Sequence, residues 1–179
     1  AAGDAWLPYA FPLVKESDQL LEKAKKCDRY YLRCKLKKRA AALRLKARNI
    51  VKDMHHKTAL FFMKNFQTIL LPEMKTSRMV GAENLPKSVS SAMMLSSQYK
   101  FRQIMIHKAE KYSRNLILCK EYYTSKTCTR CGTIKEDLGA NKVYNCNKCG
   151  LCVDRDYNGA RNIMLKHLCG EWQLPPPAQ

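Results

Sequence analysis

Four cysteines in the second half of the chain are spaced as the ligands of a structural metal ion. Cys128 and Cys131 form one C-x-x-C pair, Cys146 and Cys149 form a second, and 14 residues separate the two pairs. This spacing predicts one tetrahedral Zn²⁺ held by four thiolates in a zinc ribbon, whereas a redox motif needs only one pair. Because protein ligands fill all four positions, the predicted zinc is structural and performs no chemistry.

Two acidic residues flank the predicted ribbon. Glu121 ends the apolar run before the first cysteine pair, and Asp156 begins the helix predicted after the second pair. A ribbon starts and ends at neighbouring points, so we expect both carboxylates to face one site near a strand end. Such carboxylates suit Mg²⁺, and two Mg²⁺ ions together catalyse phosphodiester hydrolysis. The residues alone leave alternatives open: Asp154 or Asp156 caps the helix, or Glu121 pairs with a surface lysine.

The charge of the chain predicts a polyanionic partner. The 179 residues carry a net charge of +18, and residues 23–57 contribute 14 Lys and Arg against two Asp, a net of +12 (14 − 2). A merely solvated helix face usually mixes charges of both signs, so this excess favours contact with nucleic-acid backbone. An acidic membrane surface or an acidic protein is the alternative. The predicted nucleic-acid contacts are Lys35, Lys37, Lys38, Arg39, Arg44, Lys46 and Arg48.

Further properties of the sequence concern the cellular compartment, membrane association and the start of the chain. The nine cysteines are odd in number and include scattered single residues, which indicates a reducing, intracellular compartment. No stretch approaches the ~18 consecutive apolar residues of a membrane span, so no membrane association is predicted. The first residues lack initiator Met and a secretion signal, and we expect the chain to be cut from a longer protein.

The order of predicted elements indicates an α/β fold with parallel strands. Residues 19–66 form one or two helices with an apolar stripe, and an irregular segment with two prolines precedes them. Short apolar runs at 66–74 and 115–123 are predicted strands, separated by a loop and one long helix over 88–114. A last helix over 156–168 follows the cysteines. The stripe of the basic helix comprises Leu32, Leu36, Ala40, Leu43, Ala47, Ile50 and Met54.

The sequence resembles the C-terminal part of the TnpB family of transposon-associated, RNA-guided DNA nucleases, and within it the eukaryotic and viral Fanzor branch. The strings YTSKTCTRCG and YNCNKCGLCVDRDYNGARNI carry the resemblance. Looser similarity extends over the basic helix, ILLPEM and YKFRQIMIHKAEKY. The resemblance implies a partial RNase H-like (RuvC) core with long basic helices and an inserted zinc ribbon.

The resemblance also implies the roles of the acids. The family's middle metal ligand is a Glu in the pattern I-V-I-E-D, and Pro72 of ILLPEM stands in its place. Fanzors are similar in placing a Glu at the end of the next strand instead, which is Glu121 here, with Glu73 as second choice. The last ligand corresponds to Asp156, and Asn158 and Arg161 become candidate nucleic-acid contacts. The first ligand, in a D-P-G motif, has no counterpart in this sequence, so the chain alone should not cleave.

These inferences define the predicted organisation and partners. A partial nuclease core over 1–123 precedes the ribbon over 124–155, the last core helix over 156–168 and a disordered tail over 169–179. The implied partners are a guide RNA, a target DNA and a missing N-terminal part, and the implied cofactors are one Zn²⁺ and two Mg²⁺. The motif variant and basic clusters favour a nuclear location. The competing interpretation is a non-catalytic zinc-ribbon nucleic-acid-binding protein or an inactivated relative.

Overall fold

The computed structural model describes residues 6–73, 87–139 and 141–170, without the side chains of 87–89. Its helices are α1 (Leu7–Lys25), α2 (Tyr30–Asn65), α3 (Lys87–Ser96), α4 (Gln98–Lys111) and α5 (Arg155–Leu168). Its strands are β1 (Thr68–Pro72), β2 (Asn115–Cys119), β3 (Val143–Asn145) and β4 (Cys152–Asp154). None of these helices has both the length and the apolar character that crossing a membrane requires.

The chain divides into two compact units. Within the described ranges, the first unit contains 6–67 and 87–114, and the second contains 68–73, 115–139 and 141–170. Strands β1 and β2 therefore group with the cysteine-rich segment and α5 rather than with the basic helices. This division cuts across the predicted domain 1–123, and the functional assignment of that range stays a prediction.

Helix α1 corrects the expectation that the first residues are irregular. Pro8 lies in the first turn, where a helix tolerates proline, and Pro12 lies inside the helix. Burial overrides the prolines, because Trp6 and Ala10 pack against Ala47 of α2 in one apolar cluster. Of the two alternatives left open for residues 19–66, one helix or two, the structure has two, and the break lies between α1 and α2.

Helix α2 runs for 36 residues without Pro or Gly. Its predicted apolar stripe is only partly buried: Ala40 and Ala47 are covered, whereas Leu32 is 43 % exposed. Beyond Ala47 the buried positions recur every four residues, as Val51, His55, Ala59 and Met63. Rows with this spacing are inclined to the helix axis, which lets α2 contact α1 with one end and α4 with the other.

The single helix predicted over 88–114 is wrong, because α3 and α4 are separate. Ser97 lies between them with a φ of 46°. The Ser96 hydroxyl donates to the Met93 carbonyl over 2.7 Å, and the Ser97 hydroxyl donates to the Met94 carbonyl over 3.3 Å. These side-chain bonds compete with the backbone helix pattern and account for the break. Ser88 is the first residue of the predicted helix and a residue type that suits an N-cap, but it lies among the residues whose side chains are not described.

The predicted strands are confirmed and are parallel. β1 pairs with β2 from Thr68 with Asn115 to Pro72 with Cys119. The ladder continues for one bond, since the Glu73 N–H donates to the Cys119 carbonyl over 3.0 Å. β3 and β4 pair separately as an antiparallel ribbon around the second cysteine pair. The α/β class is thus confirmed, whereas a complete RuvC core is not present among the described residues.

Candidate metal and nucleic-acid sites

The four predicted zinc ligands come together at one point. The Sγ atoms of Cys128, Cys131, Cys146 and Cys149 all lie within 4.8 Å of one another. Cys128 and Cys149 are 3.6 Å apart, as are Cys131 and Cys146. A zinc ion with bonds of about 2.3 Å to sulfur needs tetrahedral ligands about 3.8 Å apart. The donor atoms and their spacing therefore suit one Zn²⁺ with no open coordination position.

Both cysteine pairs are built as the same backbone turn. In the first, Gly132 N–H donates to the Cys128 carbonyl over 2.9 Å; in the second, Gly150 N–H donates to the Cys146 carbonyl over 3.0 Å. The φ angles of the two glycines are 74° and 70°, which L side chains rarely adopt. Hydrogen bonding with Thr133 lowers the pKa of Cys131 to about 6, which favours the thiolate that a metal binds.

A small core of buried side chains packs against the cysteine cluster. Tyr144 of β3 is fully buried there with Leu138, and Val153 packs against the same group. The Tyr144 hydroxyl donates to the Lys126 carbonyl over 3.1 Å. Burial, followed by the nearby thiols, raises the pKa of Tyr144 to about 12, so this hydroxyl keeps its proton.

Two buried asparagines of α5 tie the ribbon to that helix. Asn158 accepts from the Thr129 N–H over 3.0 Å and donates to the Thr127 carbonyl over 2.8 Å. Asn162 donates to the Thr124 and Thr127 carbonyls over 2.8 and 2.7 Å. The ribbon therefore starts beside the helix that follows it. This agrees with the prediction that the ribbon starts and ends at neighbouring points.

Glu121 stands in a turn that α5 holds in place. The Thr124 hydroxyl donates to the Glu121 carbonyl over 2.9 Å, and Asn162 in turn holds the Thr124 carbonyl. Partial burial raises the pKa of the Glu121 carboxyl, although the residue is still exposed to solvent on one side. A carboxylate with restricted hydration, just beyond the end of a parallel strand, is a plausible position for a metal ligand.

Asp156 lies in the first turn of α5, exposed to solvent. It is not the helix cap, because the Asp154 carboxylate accepts from the N–H groups of Asp156 and Tyr157. Asp156 precedes Ile163 by seven residues, about two helical turns, and so shares its side of α5. Ile163 lines a cavity of about 350 Å³ together with residues 117–120 of β2 and its end. Asp156 thus lies on the side of α5 that faces the strand before Glu121.

Glu73, the second choice, also lies at this end of the strand pair. Burial, then the charges of Glu121 and Glu73, raise the pKa of the Cys119 thiol, while Lys166 acts in the opposite direction. Both glutamates are therefore within electrostatic range of the last residue of β2. Among the described residues, however, only the four cysteines form a group of three or more ligand side chains. Glu121, Asp156 and Glu73 are not part of such a group.

The seven predicted nucleic-acid contacts on α2 fall into two groups. Arg39 and Arg44 form ion pairs with Glu16 and Asp18 of α1, over 3.1 and 2.7 Å. The ion pairs balance part of the charge of these two arginines within the chain, and their contact with nucleic acid stays a prediction. The other five have no acidic partner in the described part of the chain and are exposed: Lys35, Lys37, Lys38, Lys46 and Arg48.

The sequence indicated a nucleic-acid contact for Asn158, and the structural role of Asn162 was not predicted. Asn158 is fully buried and its amide bonds to backbone, so it does not reach nucleic acid. Arg161 is exposed, in agreement with a surface role. The signal for the missed pair was available: two asparagines four residues apart lie on one side of a helix. Amides on the buried side of a helix indicate hydrogen bonds to irregular backbone.

Comparison with known proteins supports this picture. A model of the Cas12f1-like TNB domain matches residues 99–163. A TnpB-like protein of Acanthamoeba polyphaga mimivirus is 36 % identical over 118 residues, which is 65 % of this chain and 22 % of the relative. The CRISPR-associated endodeoxyribonuclease Cas12f1 of Sulfoacidibacillus thermotolerans is 31 % identical over 96 residues, or 52 % of this chain and 22 % of the enzyme.

A solved structure shares the fold. The cryo-EM structure of a Cas12f1–sgRNA–target DNA complex matches 85 % of this chain and 41 % of the Cas12f1 chain, with a TM-score of 0.56 and 19 % identity. The chain spans less than half of each of these proteins. The matched model covers both cysteine pairs, β2 and most of α5, which are the elements that build the metal cluster. The chain therefore belongs to the TnpB/Cas12-type family.

Proposed function

We propose that this chain forms part of the nuclease portion of an RNA-guided DNA endonuclease that hydrolyses phosphodiester bonds with Mg²⁺. The observation that carries the proposal is the arrangement around the end of β2. Glu121 lies just beyond β2. Asp156 lies on the side of α5 that lines a cavity together with β2. Relatives named as an endodeoxyribonuclease and as a complex with sgRNA and target DNA support the same activity.

Each residue has a distinct part in the proposed chemistry. Glu121 and Asp156 would hold Mg²⁺, which supplies an activated water and neutralises charge on the leaving oxygen. Two carboxylates provide few of the oxygen ligands that two Mg²⁺ ions need, so a further ligand comes from outside the described residues. The thiolate cluster, through Asn158 and Asn162, holds the turn that carries Glu121. We propose Zn²⁺ for that cluster, and the exposed lysines of α2 as contacts to RNA or DNA backbone.

The placement in the Fanzor branch remains part of the proposal. It is supported by Pro72 standing where the family places a Glu, and by Glu121 lying two residues beyond the end of the next strand. If Glu73 were the ligand instead, replacement of Glu121 would leave metal binding intact. The two glutamates can therefore be separated by experiment.

The test uses isosteric replacements that remove charge and keep shape. Glu121→Gln and Asp156→Asn are compared with Asp137→Asn, which neutralises an exposed acid of the same unit. With Mn²⁺ as the paramagnetic probe, we expect selective NMR broadening near residues 121 and 156 of this chain, lost in both site variants and kept in the control.

Activity is the second measurement. In the whole protein with guide RNA, Mg²⁺ and matched DNA, each site variant should reduce cleavage at least 100-fold, because a lost metal ligand removes transition-state stabilisation. RNA binding should stay within about twofold. Cleavage that survives both replacements would favour the non-catalytic zinc-ribbon protein, and loss only with Glu73→Gln would reassign the ligand.

A further inference from the structure

A cavity in the first unit is surrounded by positive charge. It has a volume of about 470 Å³ and lies between α2 and the α3–α4 break. Its walls include basic residues from two helices and no Asp or Glu among the described residues. Cavities of this size accept small ligands such as a nucleotide. The basic residues are Arg48, Lys52 and His56 of α2 and Lys100 of α4.

The cations of this cavity lack the ion pairs that several other cations of the unit form. Arg39, Arg44 and Lys57 each have an acidic partner within 3.1 Å. In the described part of the chain, no ion pair involves Lys52 or Lys100, which line the cavity from two different helices. Like charges gathered around a concave surface repel each other, and a bound anion relieves that repulsion.

The interior of the cavity is apolar and partly aromatic. Leu95 and Ile104 line it, together with buried His55, whose ring centroid lies 5.2 Å from that of Phe101. Burial lowers the pKa of His55, which favours the neutral form of its ring in this apolar interior. Asn49 and Gln103 add amide groups at the walls. An apolar surface with a few amides suits a nucleobase, and the cations suit its phosphate.

We propose that this cavity binds one nucleotide of a single-stranded nucleic acid. The phosphate lies between Lys52 and Lys100, and the base lies against Leu95 and Ile104. A sugar–phosphate backbone alone would need only the outer face of α2, whereas the cavity accepts a base turned out of its stack. The site does not use Glu121 or Asp156, so it stands or falls separately from the nuclease proposal.

The first test measures affinity by fluorescence anisotropy with ten-nucleotide RNA and DNA strands. Lys52→Gln/Lys100→Gln removes two cavity charges; the matched control, Lys64→Gln/Lys111→Gln, removes two exposed charges from the same helices outside the cavity. We expect about a tenfold loss of affinity in the cavity double variant and at most about twofold in the control. Because one phosphate lies between the two lysines, the slope of log affinity against log salt should fall by about 0.7 only in the cavity variant.

The second test locates the nucleotide. Strands carrying 4-thiouridine or 4-thiothymidine are crosslinked by light, and the attached peptides are identified by mass spectrometry. Crosslinks to residues 49–56 and 95–104 support the proposal, and their relative yields show whether RNA or DNA occupies the cavity. Equal affinity losses in the two double variants, or crosslinks confined to other peptides, would overturn it.

Discussion

The two compact units of the chain are stabilised by different kinds of interaction. In the first unit, small apolar residues let long helices approach closely: Ala24 and Ala40 are at most 1 % exposed, and the buried Ser17 hydroxyl donates to the Ala40 carbonyl. In the second unit, many of the buried side chains are thiols, amides and hydroxyls. The first unit therefore depends on packing, and the second on a cluster of four cysteines and a set of buried hydrogen bonds.

This difference has a consequence for function. The proposed metal-binding acids belong to the second unit, where Glu121 is held through Thr124 and Asn162. Buried polar networks give precise positions but lose much of their stability when one member is missing. The basic surface belongs to the first unit, where a helix surface tolerates substitution. Binding and the proposed chemistry should thus respond separately to mutation.

Removal of the metal should have the largest effect. Zinc binding in small thiolate sites contributes roughly 10–16 kcal/mol, as much as or more than the total stability of a typical domain. Chelation, or Cys149→Ala, should therefore unfold the second unit while the helices of the first persist. NMR resonances of residues 128–168 would move to unfolded positions, and those of α1 and α2 would stay.

The matched control for that experiment is Cys152→Ser. Cys152 is exposed on β4 and lies outside the thiolate cluster, although it follows Cys149 closely. This variant should keep one zinc ion per chain by elemental analysis and should keep its fold. Zinc loss in the Cys152 variant would contradict the assignment of ligands.

The buried asparagines should have the next largest effect. Asn158→Ala leaves the Thr129 N–H and the Thr127 carbonyl with lost or reduced hydrogen bonding in a buried place. Each such group costs about 1–3 kcal/mol, so we expect the free energy of unfolding of the second unit to fall by about 2–4 kcal/mol. Arg161→Ala, on the exposed side of α5, should stay within about 0.5 kcal/mol. Equal effects in urea unfolding of the two variants would contradict this role.

The metal cluster and both strands could be predicted from the sequence because their signals are local. Two C-x-x-C pairs with glycines contain their own geometry, and short apolar runs ending at Pro72 or Glu121 indicate strands directly. The position of the ribbon's start beside α5 could be predicted from the same cysteine spacing, because a ribbon starts and ends at neighbouring points. These features depend on residues that are neighbours in the chain.

Most of the errors arose where distant residues decide, whereas one arose from local side-chain hydrogen bonds. Pro8 and Pro12 indicated irregular structure, but packing of Trp6 against α2 favours a helix there. Two serine hydroxyls break the helix predicted over 88–114 by bonding to backbone carbonyls. Asn158 became a candidate nucleic-acid contact through the family resemblance, whereas its side chain is buried and bonds to backbone. Long-range burial is not visible in composition or periodicity.

A packing substitution should have a smaller effect that is limited to the first unit. Ala47 is fully buried between α1 and α2, so Ala47→Leu forces the helices apart and should lower the free energy of unfolding by about 1–3 kcal/mol. Ala42→Leu adds the same atoms on an exposed position of α2 and should change it by less than about 0.5 kcal/mol. Thermal unfolding of both variants checks this, and a shift of the zinc-dependent transition would contradict independent units.

The smallest expected effect concerns the ionisation of Glu121. Its folded-state pKa is raised by burial, so the folded chain binds this proton more tightly than the unfolded chain does. The contribution of this group to stability therefore increases as the pH falls through the folded pKa and is unfavourable above it. Glu121→Gln should stabilise the second unit at pH 7 by no more than a few tenths of a kcal/mol.

A bound cation should reverse that shift, which makes Glu121 a sensitive test of the proposed site. Mg²⁺ favours the carboxylate over the acid, so its addition should lower the NMR titration midpoint of the Glu121 carboxyl. The Glu110 carboxyl, exposed on α4 in the other unit, should not respond. Because Asp156 would share the ion, Asp156→Asn should weaken the response of Glu121 without unfolding the chain. If the titration midpoint of Glu121 does not change with Mg²⁺ in the unchanged chain or in the Asp156→Asn variant, the acids beside β2 form no metal site.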